Sequence, residues 1–173
     1  IRDQFLLNKV ASLAVLKAIA GYSGTIAVKW PNDIYAGSRK VAGILIQNLL
    51  RGEKISATVI GIGLNINQTS FDSGLPNPTS LLLESGMPLD REELLHSLTL
   101  ELEYRWLMLR RGETEGISRE YFDSLYLHGM WARYDLGGEA DIEARITGVA
   151  ADGKLILENT KGVTAAYDLG QVK

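Results

Sequence analysis

The sequence predicts an α+β protein: a mostly antiparallel sheet with packed helices, followed by a small all-β segment. Three observations predict it. Strand-prone segments between residues 25 and 66 follow one another through links too short for a parallel crossover, which takes a dozen residues or more. Apolar residues recur at helical spacing on either side of that region. From residue 140 onward apolar and polar residues alternate with a period of two.

The elements follow in order. Leu7, Val10, Ala11, Ala14 and Ala18 share one face of a helix over residues 4–20, with Gly21 as its C-terminal stop. Thr25 to Trp30 is a short strand broken by Pro31 and Asn32, and Ile34 to Ala36 leads into a Gly37-Ser38 turn. Lys40 to Leu50 and Lys54 to Ile66 are longer strands joined at Arg51-Gly52. Residues 68–78 are a loop by composition, after which Asn77 as N-cap and Pro78 in the first turn start a short helix ending near Gly86. Asp90 with Glu93 opens a longer helix whose core stripe is Leu95, Leu98, Leu102, Trp106 and Leu109. A further helix over residues 113–127 presents Ile117, Tyr121 and Leu125 on one face until His128-Gly129 interrupts it. Ala140, Ile142, Ala144 and Ile146 then alternate with Asp141, Glu143, Arg145 and Thr147, and Asp152-Gly153 and Lys161-Gly162 turn the chain into two more strands. This divides the chain into residues 1–127 and a small β part, residues 128–173.

Composition narrows the chemistry. With 173 residues, 46% of them hydrophobic, the chain buries a genuine core, and no run approaches the roughly 18 apolar residues of a membrane span. A net charge of −3 supplies no positive field for nucleic acid, so neither DNA nor a membrane is an expected partner. There is no cysteine, which removes thiol chemistry and all-cysteine metal sites, and His96 and His128 are too far apart for a zinc helix motif. No metal site is assigned.

The informative stretch is Lys29 to Asn67. From Ile60 onward a period of two puts Ile60, Ile62, Leu64 and Ile66 on one face of a strand and Gly61, Gly63, Asn65 and Asn67 on the other. Two glycines on one face mean that something bulky or flat approaches there; the strand alone leaves a ligand and a closely packed helix equally open. Gly61-Ile62-Gly63 lacks the third glycine and following helix of a dinucleotide fingerprint. Gly43 extends the same depression to the neighbouring strand, and Lys29 and Lys40 bracket the bend that holds Asp33. Beside a bare sheet face an ammonium is well placed to meet phosphate or carboxylate oxygens.

Lys29-Trp30-Pro31-Asn32-Asp33, then Arg39-Lys40-Val41-Ala42-Gly43-Ile44-Leu45, then Gly61-Ile62-Gly63-Leu64-Asn65-Ile66-Asn67 resemble, in order and spacing, the signature of biotin protein ligases. Pro78-Thr79-Ser80-Leu81 resembles that family as well. The resemblance implies a partial biotin/lipoate ligase catalytic domain of the class II aminoacyl-tRNA synthetase-like kind, followed by an SH3-like barrel. It implies a cytoplasmic enzyme that makes biotinyl-5'-AMP from biotin and ATP with Mg2+, then passes biotin to a lysine of a biotin carboxyl carrier protein or carboxylase carrier domain. Lys40 is its implied catalytic residue, with Lys29, Trp30, Asn32, Asp33, Gly43, Ile44, Leu45, Gly61, Gly63 and Asn65 binding biotin or the adenylate. The sequence departs from the family by lacking its glycine- and arginine-rich loop and the N-terminal helix-turn-helix of its repressor members. With Ile1 in first place, the expectation is that an upstream part is absent from this sequence and that the chain alone is inactive. A lipoate ligase relative and a noncatalytic binding or oligomerisation module, such as a homodimer, are the alternatives.

Overall fold

The structure, a computed structural model, describes residues 4–52, 54–137 and 141–172. Helix α1 (Gln4–Ile19) is followed by strands β1 (Ile26–Lys29), β2 (Asp33–Ala36), β3 (Arg39–Arg51) and β4 (Lys54–Leu64). Helices α2 (Leu81–Ser85), α3 (Arg91–Arg110) and α4 (Thr114–Asp123) come next, then β5 (Trp131–Tyr134), β6 (Ile142–Val149), β7 (Leu155–Asn159) and β8 (Thr164–Tyr167). The strands form two antiparallel sheets in sequence order, β1-β2-β3-β4 and β5-β6-β7-β8. The meander expected from the short links is present; Ala140 of the expected alternation lies outside the described residues. No helix among the described residues is long and apolar enough to cross a membrane.

Helix α1 is the centre of the core. It packs on β1, β2 and β3 with one side and on α3 and α4 with the others, so Leu13, Val15, Ser12 and Ile19 are buried along with the anticipated face. A one-face reading underestimates such a helix, because it is enclosed almost all round. It ends before Gly21, which has no left-handed backbone and acts as no cap. Lys9 is buried with it, donating to Ser118 Oγ at 3.0 Å, and burial lowers its pKa.

Three further expectations need correction. Asn77 is not the N-cap of α2: it turns the loop with φ +45°, and Ser80 caps the helix by accepting from the Leu83 amide. Asp90 does cap α3, accepting from the Glu92 and Glu93 amides, but the buried stripe of that helix runs through Leu94, Leu98 and Arg105. Leu95 and Trp106 are exposed, one position round the helix from the buried line. Arg105 is tolerated inside because its guanidinium forms a two-pronged pair with Glu120 of α4, at 2.6 and 2.7 Å. Finally, α4 stops at Asp123, and the next residues cross to the first sheet, where Val28 donates to the Ser124 carbonyl and Tyr126 donates to the Val28 carbonyl.

The second sheet buries Tyr134, Ala144, Ile146, Leu155 and Leu157 on one side. Strand β5 was not separately legible in the sequence. Trp30, on the bend after β1, donates its indole N–H to the Gly153 carbonyl in the β6–β7 turn at 2.8 Å, tying the sheets together.

Candidate functional site

The first sheet has one covered and one open face. Val28, Ile34, Ala42 and Ile44 are buried under α1, with Ile46, Ile60, Ile62 and Leu64 packed around them. Register aligns Lys29 with Asp33, Asp33 with Gly43, Gly43 with Gly63 and Leu45 with Gly61, so these residues share the open face. A register shift between Ile34 and Tyr35 buries both Val41 and Ala42, bringing Lys40 round beside Gly43. A Cβ on Gly43 would stand 3.3 Å from the Lys40 ammonium nitrogen.

That ammonium pairs with Asp33 Oδ1 at 2.6 Å, and both side chains remain about a third exposed (39% and 30%). The Lys40 backbone is pinned on both sides, its N–H to the Asn77 carbonyl at 2.7 Å and its carbonyl to the Thr79 N–H at 2.9 Å. The loop thus folded back closes a cleft of about 200 Å³ lined by Lys40, Gly43, Gly63, Asn65, Leu75 and Pro78. Of the two readings left open for the glycines, the packed helix finds no support: among the described residues no helix packs on them. A Cβ on Gly61 or Gly63 would meet nothing closer than carbonyl oxygens of β3, at 3.7 and 3.9 Å, in ordinary contact. Internal packing does not require glycine there.

The other predicted residues surround this cleft without all entering it. Asn32 donates to the Ile44 carbonyl at 2.6 Å and accepts from the Ile44 N–H through its own carbonyl, fastening the bend to β3. Trp30, Asn32, Ile44 and Leu45 line a neighbouring cleft of about 290 Å³, whose far wall is Asp152, Gly153 and Lys154 of the second sheet. Ile44 is buried, whereas Leu45 is 63% exposed and supplies apolar surface on the open face. Asn65 commits one amide N–H to the Thr79 carbonyl at 3.0 Å. Lys29 donates to the Tyr35 hydroxyl at 3.3 Å, and its ammonium lies over that ring.

Supporting contacts come from residues to which the sequence assigned no site role. Thr79, fully buried, donates its hydroxyl to Glu84 at 2.5 Å, and Arg39 pairs with the same carboxylate at 2.8 Å. Tyr121 donates its hydroxyl to the Pro31 carbonyl at 2.7 Å; burial raises its pKa, so it stays a donor. Its helical spacing marked it as core, and nothing local shows that its hydroxyl reaches a bend ninety residues away.

Residues 2–65 match the biotin/lipoate A/B protein ligase family. Over 96% of its length the chain is 30% identical to the bifunctional ligase/repressor BirA of Bacillus spizizenii. The chain belongs to this ligase family. A second relative, the biotin--[acetyl-CoA-carboxylase] ligase of Mycobacterium tuberculosis, is 29% identical over 96% of the chain. The chain spans 54% and 61% of those two ligases, a little over half their length. Among solved structures, the biotin protein ligase of Aquifex aeolicus in complex with biotin and ATP matches with a TM-score of 0.77 at 21% identity, covering 100% of this chain and 72% of that one. A biotin protein ligase-like protein of unknown function from Silicibacter sp. matches with a TM-score of 0.72 at 16% identity, covering 96% and 72%. Both likenesses establish the ligase fold across the two sheets.

Proposed function

We propose that this chain supplies part of the active site of an ATP-dependent biotin protein ligase, with residues 1–127 as the catalytic portion and 128–173 as the accessory β domain. The observation that carries the reading is an ammonium, Lys40, held at 2.6 Å from one carboxylate above a strip of sheet bare of side chains. In the first step a biotin carboxylate oxygen attacks the α-phosphorus of ATP and pyrophosphate leaves. Lys40 draws the two anions together and offsets charge developing on the phosphorus oxygens. Gly43, Gly61 and Gly63 let the adenylate lie against the backbone, Asn65 contacts it from the cleft rim, and Leu45 with the Ile44 backbone offers an apolar wall to biotin. Lys29, Trp30 and Asn32 complete the surround.

In the second step a lysine amine of the carrier domain attacks the acyl carbon, AMP departs and the amine loses a proton. Asp33, released as Lys40 turns to the phosphate, is the carboxylate placed to orient that amine. Among the described residues no group of three or more His, Cys, Asp or Glu side chains could hold a metal. Magnesium carried on the nucleotide phosphates would meet the Asp33 carboxylate in this cleft, which would supply it with an oxygen ligand.

Pyrophosphate exchange into ATP by the ligase in which this chain stands together with the glycine- and arginine-rich loop tests the reading: exchange that requires biotin and ignores lipoate is expected, and dependence on lipoate overturns it. A second test uses the bare strip. Gly63→Val adds a β-favouring side chain on an open face, so the melting temperature is expected to hold or rise slightly while exchange collapses. Unchanged exchange would show that no substrate lies on that face.

A further inference from the structure

Helix α2 carries one carboxylate, Glu84, that no step proposed above uses. Its side chain is 14% exposed, and one oxygen, Oε1, takes two partners: the Thr79 hydroxyl donates to it at 2.5 Å and the Arg39 guanidinium pairs with it at 2.8 Å. Taking a carboxylate most of the way out of water costs free energy that such donors offset, and a hydroxyl donating to a charged oxygen makes a short, strong bond. The helix does not depend on these bonds. Ser80 caps it, and the Leu81 and Leu82 amides fasten it to the Asn65 and Ile66 carbonyls at 3.0 and 2.8 Å. What Glu84 adds is a tie to both neighbours of Lys40. Arg39 precedes Lys40 in the chain, and Thr79 donates its N–H to the Lys40 carbonyl at 2.9 Å. The bonds close a ring that runs from Glu84 through Arg39, the Lys40 backbone and Thr79 back to Glu84. Glu84 itself is not among the residues that line the Lys40 cleft or the neighbouring one.

We propose that Glu84 is a positioning residue for adenylate formation, which it serves without touching substrate by clamping the two backbone segments that carry and flank Lys40. The inference rests on the ligase reading, because it is there that the Lys40 ammonium has developing charge to meet. The sheet alone does not hold Lys40 on both sides. Strand β2 pairs with it through Tyr35, but β4 joins β3 only from Ala42 onward. At Lys40 the place of β4 is taken by a loop segment, Asn77 to Thr79, which bridges at Pro78. A loop has no ladder of its own to keep its register, and Glu84 supplies the missing constraint by holding Thr79 and Arg39 to one oxygen. Thr79 also accepts from the Asn65 amide at 3.0 Å, so a second residue of the site is held through it. A cation that must meet developing charge works only in register, and a displacement of about 1 Å can cost about 100-fold in rate.

The test is biotin-dependent pyrophosphate exchange by the same ligase, measured well below the melting temperature of each variant. Glu84→Ala is expected to slow exchange at saturating biotin and ATP by about 10- to 100-fold. That variant strands a buried hydroxyl, so Thr79→Val is made beside it: it removes the hydroxyl, keeps both backbone bonds of Thr79 and leaves Arg39 paired with Glu84. Thr79→Val is expected to melt close to the parent and to lose about tenfold in exchange. Thr79→Ser, which retains the hydroxyl, is expected to return to within about threefold of the parent. Since Glu84 acts through Lys40, Glu84→Ala added to Lys40→Gln is expected to cost less than about threefold more. A merely structural residue would lower exchange by the same factor in both backgrounds. Parent-level exchange in Glu84→Ala or Thr79→Val overturns the proposal. So does a Thr79→Ser enzyme as slow as Thr79→Val, or an undiminished cost of Glu84→Ala in the Lys40→Gln background. A parent ligase without biotin-dependent exchange is the failure of the ligase reading itself, recognised before any variant is compared, and it takes this inference with it.

Discussion

Lys40→Gln is expected to slow biotinyl-adenylate formation by about 100- to 1000-fold, the loss typical of removing one preorganised charge from a site where charge develops. Fold and melting temperature are expected to survive, for two reasons visible in the geometry. The Lys40 backbone keeps both its bonds, to Asn77 and Thr79, whatever side chain it carries. Its partner Asp33 is partly exposed, so water replaces the lost ammonium at little cost in stability. Pyrophosphate exchange and thermal unfolding of the same preparation give both numbers. Exchange at the parent rate would remove Lys40 from the chemistry; a large fall in melting temperature would make it a structural residue instead.

Lys40 and its glycine floor were legible because both are local. A period of two separates the isoleucines from Gly61 and Gly63 whatever the rest of the chain does, and a hairpin register fixes which strand Gly43 faces. The contacts that hold the site in place were not legible, because they are set by tertiary structure. Glu84 reaches Arg39 and Thr79, Tyr121 reaches Pro31, and Trp30 reaches Gly153; none of these pairs has a periodicity to betray it. The same cause explains the errors. A proline after Asn77 suggested a helix start, but the strand β3 recruits that segment as a neighbour of Lys40, and the helix begins only at Leu81. On α3, hydrophobicity favoured Leu95 and Trp106, yet packing against α4 prefers Arg105 because Glu120 is there to meet it.

Gly153→Ala tests the opposite kind of glycine, one required by the protein's own packing. The sequence marked Gly153 only as a turn residue, a role it fulfils with φ +95°. An alanine Cβ would also stand 2.5 Å from Phe5 Cδ2 and 2.8 Å from Cγ, inside any real contact distance. Left-handed strain of about 1–2 kcal/mol and overpacking of about 1–3 kcal/mol give an expected destabilisation of about 2–5 kcal/mol. For a chain of this size that corresponds to a melting temperature lower by about 5–15 °C. Phe5→Leu in the same chain is expected to return the overpacking share and not the strain, so the double variant should recover part of the loss. No recovery would mean that Phe5 does not press on the turn. The site should be affected as well. Phe5 stacks edge-on against Tyr121 with ring centroids 5.7 Å apart, Tyr121 holds the Pro31 carbonyl, and Trp30 holds the Gly153 carbonyl itself. One methyl group in the β-domain turn therefore pushes on the Trp30–Asp33 bend from two sides, and Asp33 is the group that holds Lys40. Exchange activity measured well below the lowered melting temperature should fall in Gly153→Ala, and fall less in the double variant. Full activity in the single variant would show that the bend keeps its geometry without the β domain.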